Sequence, residues 1–189
     1  MYILLEINIS KKHLLRTGFF IAIILSIFLL RPLVAVPDGH AGVMINQGKV
    51  EDKVVSEGYH LRLPGYQELV NIDCRTQQLE IQVPVANRDC QTVNALLSLH
   101  YHIHPCGVAK LYRQEGSAYE TTLLTPVVQD ALQSVAIRYS AQDMLYKRQE
   151  ILNQSSQLIS RTLAQHNIAV DTFNIINFEF TTPSNLIYL

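Results

Sequence analysis

Three imidazoles stand at alternate positions in His100-Tyr101-His102-Ile103-His104, and Cys106 follows two residues later. Alternate side chains of an extended strand share a face, so His100, His102 and His104 are candidate nitrogen donors to Zn²⁺ or Cu²⁺. Distance limits the idea. Three such Cα atoms span about 13 Å of strand, so two rings can meet one ion but three cannot without a bend. Pro105 further separates Cys106 from the strand. The pattern reads more simply as a solvated polar strand face, and no metal or other cofactor is expected.

Asp73-Cys74-Arg75 sets opposite charges two residues apart. In another context such a pair could be catalytic; here a sheet-surface ion pair or a subunit contact is expected. The chain has no G-x-S-x-G elbow, no Walker-type glycine loop and no H-E-x-x-H, so nothing in it specifies an enzyme. Cys74, Cys90 and Cys106 lie far apart without C-x-x-C spacing, and their odd number leaves at least one thiol outside any internal pair.

The elements that would position these residues follow from the hydrophobic pattern. Short β-rich runs occur at Gly42–Asn46, Val50–Val55, Tyr59–Leu63, Glu68–Ile72 and Gln78–Val85, separated by Asn46-Gln47-Gly48, Glu57-Gly58 and Pro64-Gly65. They predict an antiparallel meander. Val93–Ile103 is a longer strand, with Leu97, Leu99, Tyr101 and Ile103 on one face and Ser98, His100 and His102 on the other. After Pro105 the period changes. Val108–Tyr112 predicts a short helix, and Leu123, Leu124, Val127, Val128, Leu132 and Val135 predict a second, started or kinked at Thr125-Pro126. Ser140-Ala141-Gln142-Asp143 predicts the N-cap of a third, whose Met144/Leu145, Ile151/Leu152 and Leu158/Ile159 form one apolar stripe expected to pack on the sheet. His166-Asn167 closes it, and Val170–Phe180 is a final strand. The body, 37–180, is therefore α+β, with a largely antiparallel sheet and packed helices.

Ahead of it, Thr17–Leu30 contains no charged residue. Extended through Leu14–Val36 it is long enough to cross a ~30 Å hydrocarbon core, which needs about 20 residues. Phe19, Phe20, Ile24, Leu25, Phe28 and Leu29 would face lipid, with Lys11, Lys12, Arg16 and Arg31 as flanking cations. A cleaved secretory signal is the competing reading, but the long basic arm 1–13 and Arg31 directly after the apolar core disfavour it. Basic residues gathered before the span predict one pass with the N-terminus inside and the body outside, in a periplasm or a mitochondrial intermembrane space. Residues 1–31 carry four basic side chains against Glu6 alone, whereas the rest carries 11 basic and 15 acidic ones. A mildly acidic body offers no field for a phosphate backbone, so nucleic acid is not an expected partner.

The order of motifs adds a family likeness. Val36-Pro37-Asp38-Gly39-His40-Ala41-Gly42-Val43 after an N-terminal span resembles the opening of SPFH (band 7) domains, the family of stomatins, prohibitins and flotillins. Glu57-Gly58-Tyr59-His60-Leu61, Asp73-Cys74-Arg75-Thr76-Gln77, Asp89-Cys90-Gln91-Thr92-Val93, Tyr119-Glu120 and Ile168-Ala169-Val170-Asp171 before Phe178-Glu179-Phe180 continue the likeness, which is nearest to prohibitins. The resemblance implies an SPFH fold and a non-catalytic membrane scaffold. Its partners would be the lipid bilayer, SPFH-family subunits (itself or a longer paralogue) and an ATP-dependent membrane protease. Residues 181–189 contain Pro183 and lack the alanine- and glutamate-rich helix usual in the family. A truncated accessory subunit of a longer SPFH partner is accordingly an alternative, and a secreted metal-binding protein a further one.

Overall fold

The computed structural model describes Arg16, Phe19, Phe20, Ile21, Ile23 and residues 32–180. Of the expected membrane segment, Lys11, Lys12, Ile24, Leu25, Phe28, Leu29 and Arg31 lie outside the described residues, as does the tail 181–189. Phe19, Phe20, Ile21 and Ile23 are helical and exposed. Among the described residues, no helix is long and apolar enough to cross a membrane.

The expected span does not run to Val36 as a helix. Leu33–Val36 is a strand, β1. Pro32 cannot donate the backbone hydrogen bond a continuing helix needs, and the next four residues satisfy their backbone sideways instead. They pair antiparallel with Gly58–Leu61 (β4), in the register Leu33 opposite Leu61 through Val36 opposite Gly58.

Three more strands form a second sheet: His40–Asn46 (β2), Lys49–Val55 (β3) and Gln67–Asp73 (β5), in the order β3-β2-β5. Gln47 and Gly48 join β2 to β3 with φ of 50° and 80°, the two left-handed residues of a type I′ hairpin. A third sheet contains Gln77–Ala86 (β6), Thr92–Ile103 (β7) and Ile168–Phe180 (β8), in the order β6-β7-β8. All ladders are antiparallel, but they divide into three sheets rather than one meander: β4 pairs with β1, and β5 with β2, instead of with their neighbours in sequence.

Between β7 and β8 the chain is helical: Val108–Glu115 (α1), Thr125–Ala136 (α2), Ala141–Tyr146 (α3) and Arg148–Ala164 (α4). Thr125-Pro126 starts α2 rather than kinking it, directly after a π-helical turn over Glu120–Leu124. Ser140 and Asp143 cap α3 reciprocally: the Asp143 N–H donates to the Ser140 hydroxyl at 3.2 Å, and the Asp143 carboxylate accepts from the Ser140 N–H at 3.4 Å. The single helix expected after Ser140 is broken at Lys147, with φ −104° and ψ 24°. The apolar stripe crosses the break. Met144, Ile151 and Ile159 are fully buried, whereas their neighbours Leu145 and Leu158 are exposed. Asn167, at φ 61°, supplies the left-handed residue that turns the chain into β8.

The core lies between the inner face of β6-β7-β8 and the helices α2 and α4. Leu97, Leu99, Tyr101 and Ile103 of β7 are fully buried there, as the alternation predicts. Helix α1 joins this layer to the smaller sheet, and the Arg113 guanidinium reaches Asp52 of β3.

Candidate functional site

β7 places the histidine strand on the outer face of its sheet, where His100 and His102 are half-buried and His104 is exposed. The three rings do not converge. His102 Nδ1 lies 2.9 and 3.0 Å from the two carboxylate oxygens of Asp171 on β8, and Thr76 Oγ1 donates to Asp171 at 2.9 Å. His104 meets His102 edge to face, with ring centroids 5.3 Å apart. Among the described residues, no group of three or more His, Cys, Asp or Glu is arranged to hold a metal ion. The cluster does electrostatic work on Asp171, whose carboxyl is held below its ordinary pKa first by the His102 contact and then by Thr76.

Asp73 and Arg75 do not make the expected ion pair. The Arg75 N–H donates to the Asp73 carboxylate at 2.9 Å, a local turn, while the guanidinium reaches across to the Asp38 carbonyl. Gly39 sits against that arm: a Cβ there would lie 2.2 Å from Arg75 Nε. Beside this turn is an open cavity of about 480 Å³, lined by Ala41, Val55, Cys74, Arg75 and Cys106. Cys74, Cys90 and Cys106 are all free, and burial pushes the Cys74 thiol pKa up.

A surface that the sequence reading missed lies on the β1-β4 ribbon. Directly opposite residues share a face, so Leu33 with Leu61 and Ala35 with Tyr59 form one side, while Val34, His60 and Val36 form the other. The second side turns inward. The first is open: Leu33 is 60% exposed, Tyr59 79% and Leu61 75%, with Leu63 at 64% and Tyr66 at 63% in the loop beyond. Exposed leucines and tyrosines gathered at one site are a patch rather than scattered apolar residues. The alternation Tyr59-x-Leu61 was the available signal, but Leu33-Val34-Ala35-Val36 is apolar at every position and hides its period of two.

A polar knot closes the inner side of the large sheet. The Tyr101 hydroxyl lies 2.8 Å from Glu120 Oε1 and 3.0 Å from Gln77 Oε1. Burial and the contact with Glu120 raise the phenol well above its ordinary range, so it remains a neutral donor.

Comparison with known proteins agrees with the fold. The family model described as "SPFH domain / Band 7 family" matches residues 34–182. Curated relatives include "Prohibitin-1, mitochondrial" of Arabidopsis thaliana, 26% identical over 146 residues that cover 77% of this chain and 51% of that protein. "Prohibitin 1" of Gallus gallus is 26% identical over 143 residues, 75% of this chain and 53% of that protein. "Prohibitin-2" of Bos taurus is 28% identical over 132 residues, 69% of this chain and 43% of that protein. The chain thus spans about half the length of the curated relatives it matches.

Proposed function

The chain belongs to the SPFH domain / Band 7 family, and from that premise we propose that it is a non-catalytic, membrane-anchored scaffold that assembles with its own kind or with a longer SPFH subunit. The observation that carries the membrane part is the open apolar side of the β1-β4 ribbon, which begins one residue after Pro32 and so adjoins the uncharged run Thr17–Leu30. Leucines with tyrosines suit a membrane–water interface, where the ring enters the acyl boundary and the hydroxyl stays hydrated. Lys11, Lys12 and Arg16 ahead of the run support an N-terminus inside and the folded body outside. Modulation of a membrane protease belongs to the same reading, supported by the likeness to prohibitins.

The chain has no tryptophan, so Leu61→Trp introduces a single reporter on the ribbon. In liposomes, its emission should shift to the blue and be quenched by brominated acyl chains; emission unchanged from that of a water-exposed indole overturns the membrane contact. Full-length chain should also resist alkaline carbonate extraction. A strictly monomeric detergent-solubilised species, with no large co-purifying partner, overturns the scaffold.

A further inference from the structure

Two surfaces of opposite charge lie on opposite sides of the β6-β7-β8 layer. On the helix side, α2 and α4 leave an open cleft of about 550 Å³ lined by Val135, Arg138, Gln154, Gln157, Leu158 and Arg161. Leu158 is an exposed apolar residue there, and Ile137, next to Arg138 in the chain, is exposed as well. Neither guanidinium takes part in any ion pair or hydrogen bond among the described residues, whose four ion pairs are Arg88–Asp89, His102–Asp171, Arg113–Asp52 and Lys147–Asp143.

On the sheet side, the outer face is open among the described residues. Gln78, Glu80 and Gln82 of β6 and Thr172, Asn174 and Glu179 of β8 are all exposed. Among the described residues, Glu80 and Glu179 have only amides for company: Gln78 Nε2 donates to Glu80 at 2.9 Å and Gln82 Nε2 to Glu179 at 3.4 Å. Half-buried Leu96 and exposed Ile176 lie among them. Among the described residues, each side thus combines apolar residues with two charges that lack an opposite partner, and the signs are complementary.

We infer that a second copy of this chain docks its outer β6-β7-β8 face, through Glu80 and Glu179, onto the α2/α4 cleft of the first, through Arg138 and Arg161. The inference rests on the scaffold reading above and specifies its contact. Because the two patches differ, the contact is heterologous: each subunit offers its sheet to one neighbour and its cleft to the next, so assembly continues into a ring or a row. Three strands ~4.8 Å apart over ~20 Å present only roughly 300 Å² of flat face, small against the ~800 Å² per partner of stable soluble complexes. Such a contact forms on a membrane, where co-anchoring raises the effective concentration of neighbours.

The test uses two full-length variants, Arg138→Glu/Arg161→Glu and Glu80→Arg/Glu179→Arg, reconstituted in liposomes at low ionic strength, cross-linked there and then solubilised for sedimentation. All four positions are exposed, so circular dichroism should show both variants folded. Each variant alone should associate at least about tenfold more weakly than wild type, since like charges then face each other. An equimolar mixture should recover wild-type sedimentation, because alternating subunits restore every opposite-charge contact. Raising salt to ~1 M should weaken both wild type and mixture, as the Debye length falls to ~3 Å. Variants that sediment like wild type, or a mixture no larger than its parts, overturn these surfaces while leaving the scaffold standing. An isologous cleft-to-cleft dimer, or a foreign acidic partner in the cleft, would show itself by the absence of mutual rescue. A wild-type chain that never self-associates overturns this contact, and, if no longer SPFH subunit co-purifies with it, the scaffold reading as well.

Discussion

The side-chain amide of Gln133 on α2 pairs with both backbone groups of Ala86 at the end of β6, accepting from its N–H at 2.8 Å and donating to its carbonyl at 3.1 Å. A side chain here does what a neighbouring strand would do, and it closes one end of an otherwise open sheet edge. Gln133→Ala removes both bonds and leaves two peptide groups half-buried without partners. A loss of about 1–3 kcal/mol is expected, read as a lower urea midpoint at unchanged m-value.

Asp171 links acid stability to the histidine strand. Its folded-state pKa is depressed, so its contribution is present above the unfolded carboxyl value and is lost as pH falls through the folded one. The carboxyl is about one-third exposed, and solvent screening holds the effect below ~1 kcal/mol. Urea midpoints of wild type should therefore fall below pH ~4 more steeply than those of Asp171→Asn, with the two curves parallel at higher pH. Parallel curves throughout would mean that the contact with His102 does not favour the carboxylate.

Ser140→Ala opens the capping box of α3, where the Ser140 hydroxyl also lies 2.8 Å from the Asp143 carboxylate. The expected cost is about 1 kcal/mol, or ~2–4 °C in Tm for a domain of this size. Asp143→Asn retains an acceptor for the Ser140 N–H and should lose less. Thermal unfolding followed at 222 nm separates the two.

Gly39 and Gly48 give a matched pair. Both have positive φ, 75° and 80°, but a Cβ on Gly48 meets nothing within 4 Å, whereas one on Gly39 meets the Arg75 side chain. Alanine at Gly48 should cost only the left-handed conformation, about 1 kcal/mol. Alanine at Gly39 should cost more, because Arg75 must also leave the Asp38 carbonyl. Equal losses in chemical denaturation would show that the arm moves freely.

Most strands were legible because period-two alternation and turn residues agree locally. Strand β7 is the clearest case: its buried set Leu97, Leu99, Tyr101 and Ile103 follows from side-chain alternation alone. The cap at Ser140 and the left-handed Asn167 were equally local. What was hidden depends on distant partners. Leu33–Val36 is apolar at every position and follows an apolar run, so only its ladder with β4 identifies it as a strand. The stripe from Met144 to Ile159 keeps a helical spacing across Lys147, so the pattern does not reveal the break in the backbone. Arg75 lay beside an obvious acidic neighbour, yet its guanidinium is taken by a carbonyl 37 residues away. The brace from Gln133 bridges 47 residues and has no sequence signature.

Strand β1 has a mechanical consequence. At one end stands Pro32; at the other, Val36 is buried, and between them four residues are laddered to β4. No slack linker intervenes within that stretch. A torque or tilt applied at Pro32 is therefore handed to the folded body through the ribbon, as through a stiff stem, instead of being dissipated in a swivel. The heading of the body relative to whatever holds its N-terminal side is then a property of the fold, and subunits held side by side in this way would present their faces to one another already aligned.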